Sequence, residues 1–199
     1  MKAIIKLGER LLPIVSKKEF SWPTLPNKDE FKELLHYLQS NYDRFIEESQ
    51  VKLIHNDNYH VVYQRDHINI MEMGLKKGFY YPFHDHPNML VVSLILKGRV
   101  QIGSTNFKRT DIYDAHPRVQ VGQKYTHLIR FDINPITFQV CEPRSTALLY
   151  HNFQNIHSLA ALEDTVLLDV IINDYDHIDR VFTIFDQSSP ATLTAVQQL

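Results

Sequence analysis

The clearest structural signal in the chain is the stretch from Gly78 to Gly98, GFYYPFHDHPNMLVVSLILKG. In it, His84 and His86 stand one residue apart within an extended, apolar-flanked segment. On a β-strand, residues i and i+2 point to the same face, with Cα atoms about 6.6–6.8 Å apart. Two imidazoles placed in this way can bind one ion at the ~2.0–2.1 Å typical of metal–nitrogen bonds. The stretch therefore predicts a strand that carries two metal ligands.

The chain from about residue 51 onward has the texture of a β protein. Short segments rich in Val, Ile, Tyr, Phe and Thr are separated by Gly, Pro, Asn and Asp. Many short strands without helices between them favour a sandwich or barrel over a parallel sheet. We predict strands at residues 59–64, 67–73, 80–86, 90–96, 99–103, 127–131, 136–141, 146–150, 165–172 and 180–185.

The beginning of the chain has a helical pattern instead. Residues 3–16 carry apolar positions interrupted by Pro13, and residues 28–49 carry a clearer helical spacing. Asn27, with Glu30 three residues later, matches a capping box at the start of the second helix. We expect this helical part to cover one end of the β domain.

Length and composition favour one globular unit. The chain has 199 residues, of which 44% are hydrophobic, enough for a sizeable core. We divide it into a mostly helical segment, 1–50, and a β domain, 51–199. The net charge is -2, without blocks of like charge, which argues against nucleic-acid and membrane partners. We expect a monomer that binds a small molecule or a peptide.

Targeting signals and cysteine content favour a cytoplasmic location. The start, MKAIIKLGER, lacks the ~7–15 apolar residues of a signal peptide, and no stretch approaches the ~20 of a membrane span. The single cysteine, Cys141, cannot form an intrachain disulfide, which is compatible with a reducing compartment. Because one cysteine cannot build a thiolate site, a transition metal would have to bind to imidazole or carboxylate groups.

A second motif supports the metal interpretation, which an isolated His-x-His pair would not carry alone. About seventy residues after the first motif, Tyr150 to Leu159 read YHNFQNIHSL. The spacing of Gly78 and the histidine pair resembles the first motif of the cupin superfamily, and NIHSL resembles the second. This resemblance implies an all-β cupin fold, a double-stranded β-helix or jelly-roll-like barrel, with His84, His86 and His157 as metal ligands. His151 is the main rival of His157 for the third position.

The site lacks the glutamate that many cupins carry four or five residues after the second histidine. Leu90 and Val91 occupy those positions. A divalent metal with three neutral imidazoles keeps its full charge and favours anionic ligands such as a thiolate. Three protein ligands on one face also leave up to three open positions in an octahedral shell.

The sequences PFHDHPNM and NIHSL resemble the core motifs of the cysteamine dioxygenase and plant cysteine oxidase family, over about Val51 to Phe185. The resemblance implies a non-haem iron thiol dioxygenase. Its cofactor would be Fe(2+), and its substrates O2 and a small thiol or N-terminal-cysteine peptide. The product would be a sulfinic acid. In this family, such oxidation can couple oxygen level to protein degradation, so oxygen sensing is a further expectation.

A third match to the family is TVLLDVIINDY, in which Asp169 lies twelve residues after His157 and Tyr175 six further on. The resemblance implies that Asp169 and Tyr175 belong to the catalytic site. Asp169 would either orient a ligand histidine or receive the substrate's amino group. A buried aspartate with structural hydrogen bonds is an equal alternative, since a carboxylate in so apolar a run needs a partner.

Several positions depart from the family pattern. Asn88 replaces the usual glycine after HDHP, and Asn tolerates the left-handed conformation that such a turn needs. Residues 181–185 read VFTIF, where the family often has a cysteine and tyrosines. Two alternatives therefore stay open. One is a metal-binding cupin that has lost turnover and serves as a ligand sensor or structural protein, and the other is a cupin enzyme that uses manganese, nickel or zinc.

Overall fold

The computed structural model shows helices followed by β-strands. The structure describes residues 2–16, 25–51, 58–86, 89–108, 124–150, 154–173 and 183–198. The helical elements are α1 (Lys2–Val15), a 3-10 turn (Leu25–Asn27), α2 (Asp29–Ser40) and α3 (Tyr42–Glu48). Among the residues described, no helix is long and apolar enough to cross a membrane.

The rest of the described chain is almost entirely β-strand, which confirms the expected all-β class behind an N-terminal helical segment. The strands are β1 (Asn58–Arg65), β2 (Ile68–Leu75), β3 (Tyr80–Asp85), β4 (Leu90–Lys97), β5 (Val100–Thr105), β6 (Lys124–Asp132), β7 (Thr137–Cys141), β8 (Thr146–Tyr150), β9 (Ile156–Ala161), β10 (Thr165–Ile172), β11 (Thr183–Ser189) and β12 (Thr192–Gln198).

These strands form two antiparallel sheets. A five-stranded sheet has the order β1-β2-β10-β4-β8, and a seven-stranded sheet has the order β6-β12-β11-β3-β9-β5-β7. Apolar side chains from both sheets, among them Ile95 and Leu167 from the first and Ile102 and Leu159 from the second, form one buried cluster. The sheets therefore pack face to face, as in a sandwich or jelly roll.

The sequence prediction omits two strands, β9 and β12. After His157, β9 reads Ser-Leu-Ala-Ala, which lacks the β-branched and aromatic residues typical of strands. Pairing with β3 on one side and β5 on the other stabilises β9 despite this weak propensity. The strand predicted at 180–185 is displaced, because β11 covers Thr183–Ser189, and residues 180–182 lie outside the described part.

The prediction that Asn27 caps the second helix is wrong. Asn27 lies in the 3-10 turn, and α2 begins at Asp29 with Lys28 in the cap position. The turn displaces the start because the Lys28 N–H donates to the carbonyl of Leu25, whose side chain is fully buried. Two acidic residues in the first turn of α2 suit the positive end of the helix dipole.

The helices pack on the outer face of the five-stranded sheet and not over one end of the β domain, as was expected. Buried residues of α1, α2 and α3 share one cluster with the outward side chains of β2, β4 and β10. The Tyr42 hydroxyl donates to the carbonyl of Leu96 at 2.7 Å, and Glu72 accepts the N–H groups of Gln50 and Val51. Every residue of β10 is buried, because its outward side chains pack against the helices and its other side chains face the second sheet. The domain division at residue 50 stays a prediction.

Candidate metal centre

Three histidines converge between the sheets. His84 lies on β3, directly across from His157 on β9, and His86 follows the end of β3. The ring centroids of His84 and His157 are 4.1 Å apart, and each is 5.0 Å from that of His86. One ring nitrogen from each residue lies within 4.8 Å of the others. These distances allow one ion to contact all three imidazoles.

Hydrogen bonds around the histidines hold this arrangement. His84 donates through Nδ1 to the Pro82 carbonyl at 2.9 Å, which fixes its tautomer and leaves the Nε2 lone pair for a ligand. The His86 backbone N–H donates to Asn155 Oδ1 at 3.3 Å. Asp85, between the two histidines, accepts the Thr183 backbone N–H at 2.7 Å and so joins β3 to β11. This hydrogen bond gives Asp85 a structural role.

Burial keeps the three imidazoles neutral. Desolvation lowers the pKa of His84 to about 4, although the hydrogen bond to Pro82 acts in the opposite direction. The pKa values of His86 and His157 lie well below 6.5, mainly because of desolvation and to a smaller extent because of the neighbouring imidazoles. The histidines thus offer lone pairs at neutral pH, as metal ligands must.

The donor set fits a divalent transition metal. Three neutral imidazoles suit zinc, copper, iron and nickel, and geometry alone does not choose among them. The buried Nδ1 atom of His157 has no hydrogen-bond partner among the described residues, and a water or ligand in the site would supply one. The two positions at which many cupins have a glutamate supply no carboxylate here. Leu90 packs in the outer cluster, and Val91 lines the cavity.

A cavity of about 640 Å³ opens beside the three histidines. Both sheets contribute to its wall, which is mainly apolar. It is lined by Tyr59, Val61, Gln64, Asn69, Met71, Met73, Tyr81, His84, His86, Val91, Ser93, Ile102, Ala147, Leu149, His157, Leu159, Asp169 and Ile171. A mainly apolar cavity with a few polar groups is the usual form of a small-molecule site.

Asp169 faces this cavity from β10. The Ser93 hydroxyl, directly across on β4, donates to Asp169 Oδ1. Burial raises the pKa of Asp169 to about 6, and the Ser93 hydrogen bond partly offsets that rise. Among the described residues, no hydrogen bond joins Asp169 to His84, His86 or His157.

Other predicted site residues lie elsewhere or outside the described part of the chain. Tyr175, His151 and Asn88 belong to segments that the structure does not describe. Phe185 belongs to the segment VFTIF, which differs from the family pattern. It packs in a cluster with the aromatic rings of Phe107 and Phe131. Phe185 therefore does not contribute to the cavity wall.

Sequence reasoning missed three polar residues of the site: Ser93, Asn69 and Asn155. Ser93 and Asn69 are polar residues within mainly apolar strands, a signal that alternation could have exposed. Asn155 precedes His157 by two residues and holds the His86 backbone, a contact between segments about seventy residues apart. Their roles depend on contacts between strands distant in sequence.

Two antiparallel sheets packed around a three-histidine group define the class of protein: this chain has a cupin fold. Within that class, a family model matches residues 28–198, and the chain belongs to the PCO_ADO family, that of cysteamine dioxygenase and the plant cysteine oxidases. The matched range is longer at both ends than the resemblance over residues 51–185 that the motifs predicted. Membership points to an oxidoreductase of the dioxygenase type.

Solved cupin structures resemble the chain only distantly. A cupin superfamily protein from Desulfitobacterium hafniense is 12% identical, with 65% of this chain and 87% of that chain covered and a TM-score of 0.42. A double-stranded β-helix protein from Klebsiella pneumoniae is 11% identical, with 70% and 87% covered and a TM-score of 0.44. The Schizosaccharomyces pombe Cnp3 cupin domain is 12% identical, with 63% and 70% covered and a TM-score of 0.42. No curated protein matches the chain.

Proposed function

We propose that this protein is an iron(II)-dependent thiol dioxygenase that converts cysteamine or an N-terminal cysteine to its sulfinic acid. The observation that carries the proposal is the group of three converging, neutral imidazoles beside a carboxylate in a mainly apolar cavity. Family membership supplies the reaction type. His84, His86 and His157 are the proposed ligands of Fe(2+).

The reaction balances without a further reductant. Both atoms of O2 are transferred to the thiol sulfur, which loses four electrons while dioxygen gains four, and the thiol proton ends on the sulfinic acid. When bound, iron would stabilise the thiolate at neutral pH and activate dioxygen beside it. The protein's task is to hold the substrate thiol close to the three histidines and to exclude water.

Asp169 is proposed to receive the substrate's amino group. Its carboxyl lines the same cavity as the imidazoles, and its described hydrogen-bond partner is Ser93 and not a histidine. This arrangement favours a substrate contact over orientation of a ligand histidine. An ammonium group would offset the unfavourable burial of the Asp169 charge. Tyr175 remains a proposed second catalytic residue.

The test is incubation of the iron-loaded protein with cysteamine and with peptides that begin with cysteine. Mass spectrometry should show a gain of two oxygen atoms, and metal analysis should show one iron per chain. Replacing His84, His86 or His157 with Gln should abolish both, because each change removes one of three ligands. Exposed His36 on α2 provides the matched control, His36→Gln, which should retain both. Iron-loaded protein that oxidises no thiol would sink the proposal.

A metal-binding cupin without turnover is the second candidate. One observation favours it: residues 181–185 are largely apolar where the family often has cysteine and tyrosines. This candidate predicts tightly bound metal without thiol-dependent oxygen uptake. Metal analysis of protein purified without added iron would identify manganese, nickel or zinc, if one of them is the native ion.

Oxygen sensing is tested separately, by the dependence of the turnover rate on oxygen concentration.

A further inference from the structure

Asn69 combines a place in the cavity wall with a buried acceptor atom that lacks a donor. The residue lies on β2, is 7% exposed and lines the cavity wall. Its Oδ1 atom is buried and has no hydrogen-bond partner among the described residues. Gln64 lies directly across on β1 and also lines the cavity, yet its side chain does not donate to this oxygen. A buried carbonyl oxygen without a donor is costly, and a ligand with an N–H group would remove that cost.

The strand register locates Asn69 relative to Asp169. On the five-stranded sheet, Asp169 pairs with Met71 and Ile171 pairs with Asn69. Asn69 therefore lies two residues beyond the partner of Asp169 on the same face, a diagonal of about 7–8 Å between Cα atoms. On the opposite side of Asp169, Leu167 belongs to the apolar cluster shared by both sheets. A ligand that extends past Asp169 and away from Leu167 thus meets Asn69 and Gln64, whereas one that extends toward Leu167 meets apolar side chains and Tyr59, which lies across from Met73.

We propose that Asn69 is a specificity-determining residue whose Oδ1 accepts a hydrogen bond from a backbone N–H of a peptide substrate. The inference rests on the proposed function, with the thiol at the three histidines and the amino group at Asp169. An extended peptide advances roughly 3.3–3.6 Å per residue, so the first or second N–H after an N-terminal cysteine reaches Asn69. Cysteamine ends at its amino group and has no such N–H. Asn69 therefore favours peptides over small aminothiols.

The experiment compares amide and ester ligands. A tripeptide that begins with cysteine is prepared with both peptide bonds intact and with an ester oxygen in place of the first or the second N–H. Isothermal titration into iron-loaded protein without oxygen measures the Kd of each. The wild-type protein should bind one ester about 3- to 10-fold more weakly than the amide, as expected for one lost hydrogen bond. Asn69→Leu should bind that pair alike, and Met71→Leu, on the same wall, should keep the wild-type ratio.

Equal binding of the amide and both esters by the wild-type protein would overturn the inference. An Asn69→Leu protein that keeps the wild-type ratio would overturn it as well. Should that variant fail to fold, the wild-type series alone decides. Because the readout is binding, it is separate from turnover: ester discrimination without oxygenation of any thiol would sink the dioxygenase proposal and leave the role of Asn69.

Discussion

The Asp169 carboxyl has a pKa that makes the stability of the fold depend on pH. Removal from water raises this pKa from 3.8 to about 6, against the smaller effect of the Ser93 hydrogen bond. The unfolded chain therefore loses the proton near pH 4 and the folded chain near pH 6. The buried charge destabilises the metal-free protein fully above about pH 6 and not below about pH 4.

We expect Asp169→Asn to stabilise the metal-free protein at pH 8 by up to about 3 kcal/mol, since two pKa units correspond to about 2.7 kcal/mol. Asn keeps an acceptor for the Ser93 hydroxyl. The gain should shrink as the pH falls from 6 to 4, which urea unfolding at several pH values measures. Ser93→Ala, which removes the donor, should destabilise at pH 8. A gain that is the same at every pH would contradict this assignment.

Asn155 is fully buried and holds the backbone of His86, one of the proposed metal ligands. Its Oδ1 accepts the His86 backbone N–H, and its own backbone N–H donates to Asn106 Oδ1. We expect Asn155→Leu to weaken metal binding about 10-fold or more, because groups that orient ligands typically have effects of that size. Competition with a chelator measures the affinity. The exposed Asn134 provides the control, and equal affinities in both variants would count against the role of Asn155.

The two glycines at the ends of the HDHP stretch have different requirements. Both Gly78 and Gly98 have positive φ, of 85° and 75°. A Cβ at Gly98 would overlap the backbone carbonyl of Asp164, whereas a Cβ at Gly78 would meet nothing within 4 Å. Gly98 is therefore required both for its conformation and for the close approach of β4–β5 to the start of β10.

We expect Gly98→Ala to lower the free energy of unfolding by more than about 3 kcal/mol, through backbone strain and the clash with Asp164. Gly78→Ala should lower it by only about 1–2 kcal/mol, the usual effect of a side chain at positive φ. Urea unfolding of both variants measures the difference. Similar losses for the two glycines would show that the close approach contributes nothing.

At the scale of the whole molecule, the helices form the outer layer behind the five-stranded sheet. Tyr42 joins the two layers through its hydrogen bond to Leu96, while the Arg144 guanidinium lies 4.3 Å from its ring centroid. We expect Tyr42→Phe to lower the free energy of unfolding by about 1–3 kcal/mol, because the Leu96 carbonyl loses a buried donor. Thermal or urea unfolding measures this. Tyr37→Phe, for a half-buried tyrosine nearby, should have little effect, and an equal loss there would refute the explanation.

The sequence permitted prediction of what depends on local spacing. The same-face geometry of His84 and His86 follows from strand periodicity, and the strands at 146–150 and 165–172 have the predicted bounds. His157 was identified only through a family resemblance, because its strand has weak β propensity and depends on its neighbours. The position of the helices and the contact between Asn155 and His86 depend on how distant segments pack, which local patterns do not encode.

The separation of the site between two sheets has a consequence for how such an enzyme can change. The proposed metal ligands belong to β3, its end and β9, whereas Asp169, Ser93 and Asn69 belong to the five-stranded sheet. Substitutions on one sheet can alter which molecule is accepted while the ion-binding half keeps its geometry. Descendants of such a scaffold could therefore diverge in substrate choice without passing through forms that have lost their metal, and a mutant library confined to β1, β2 and β10 would sample that route.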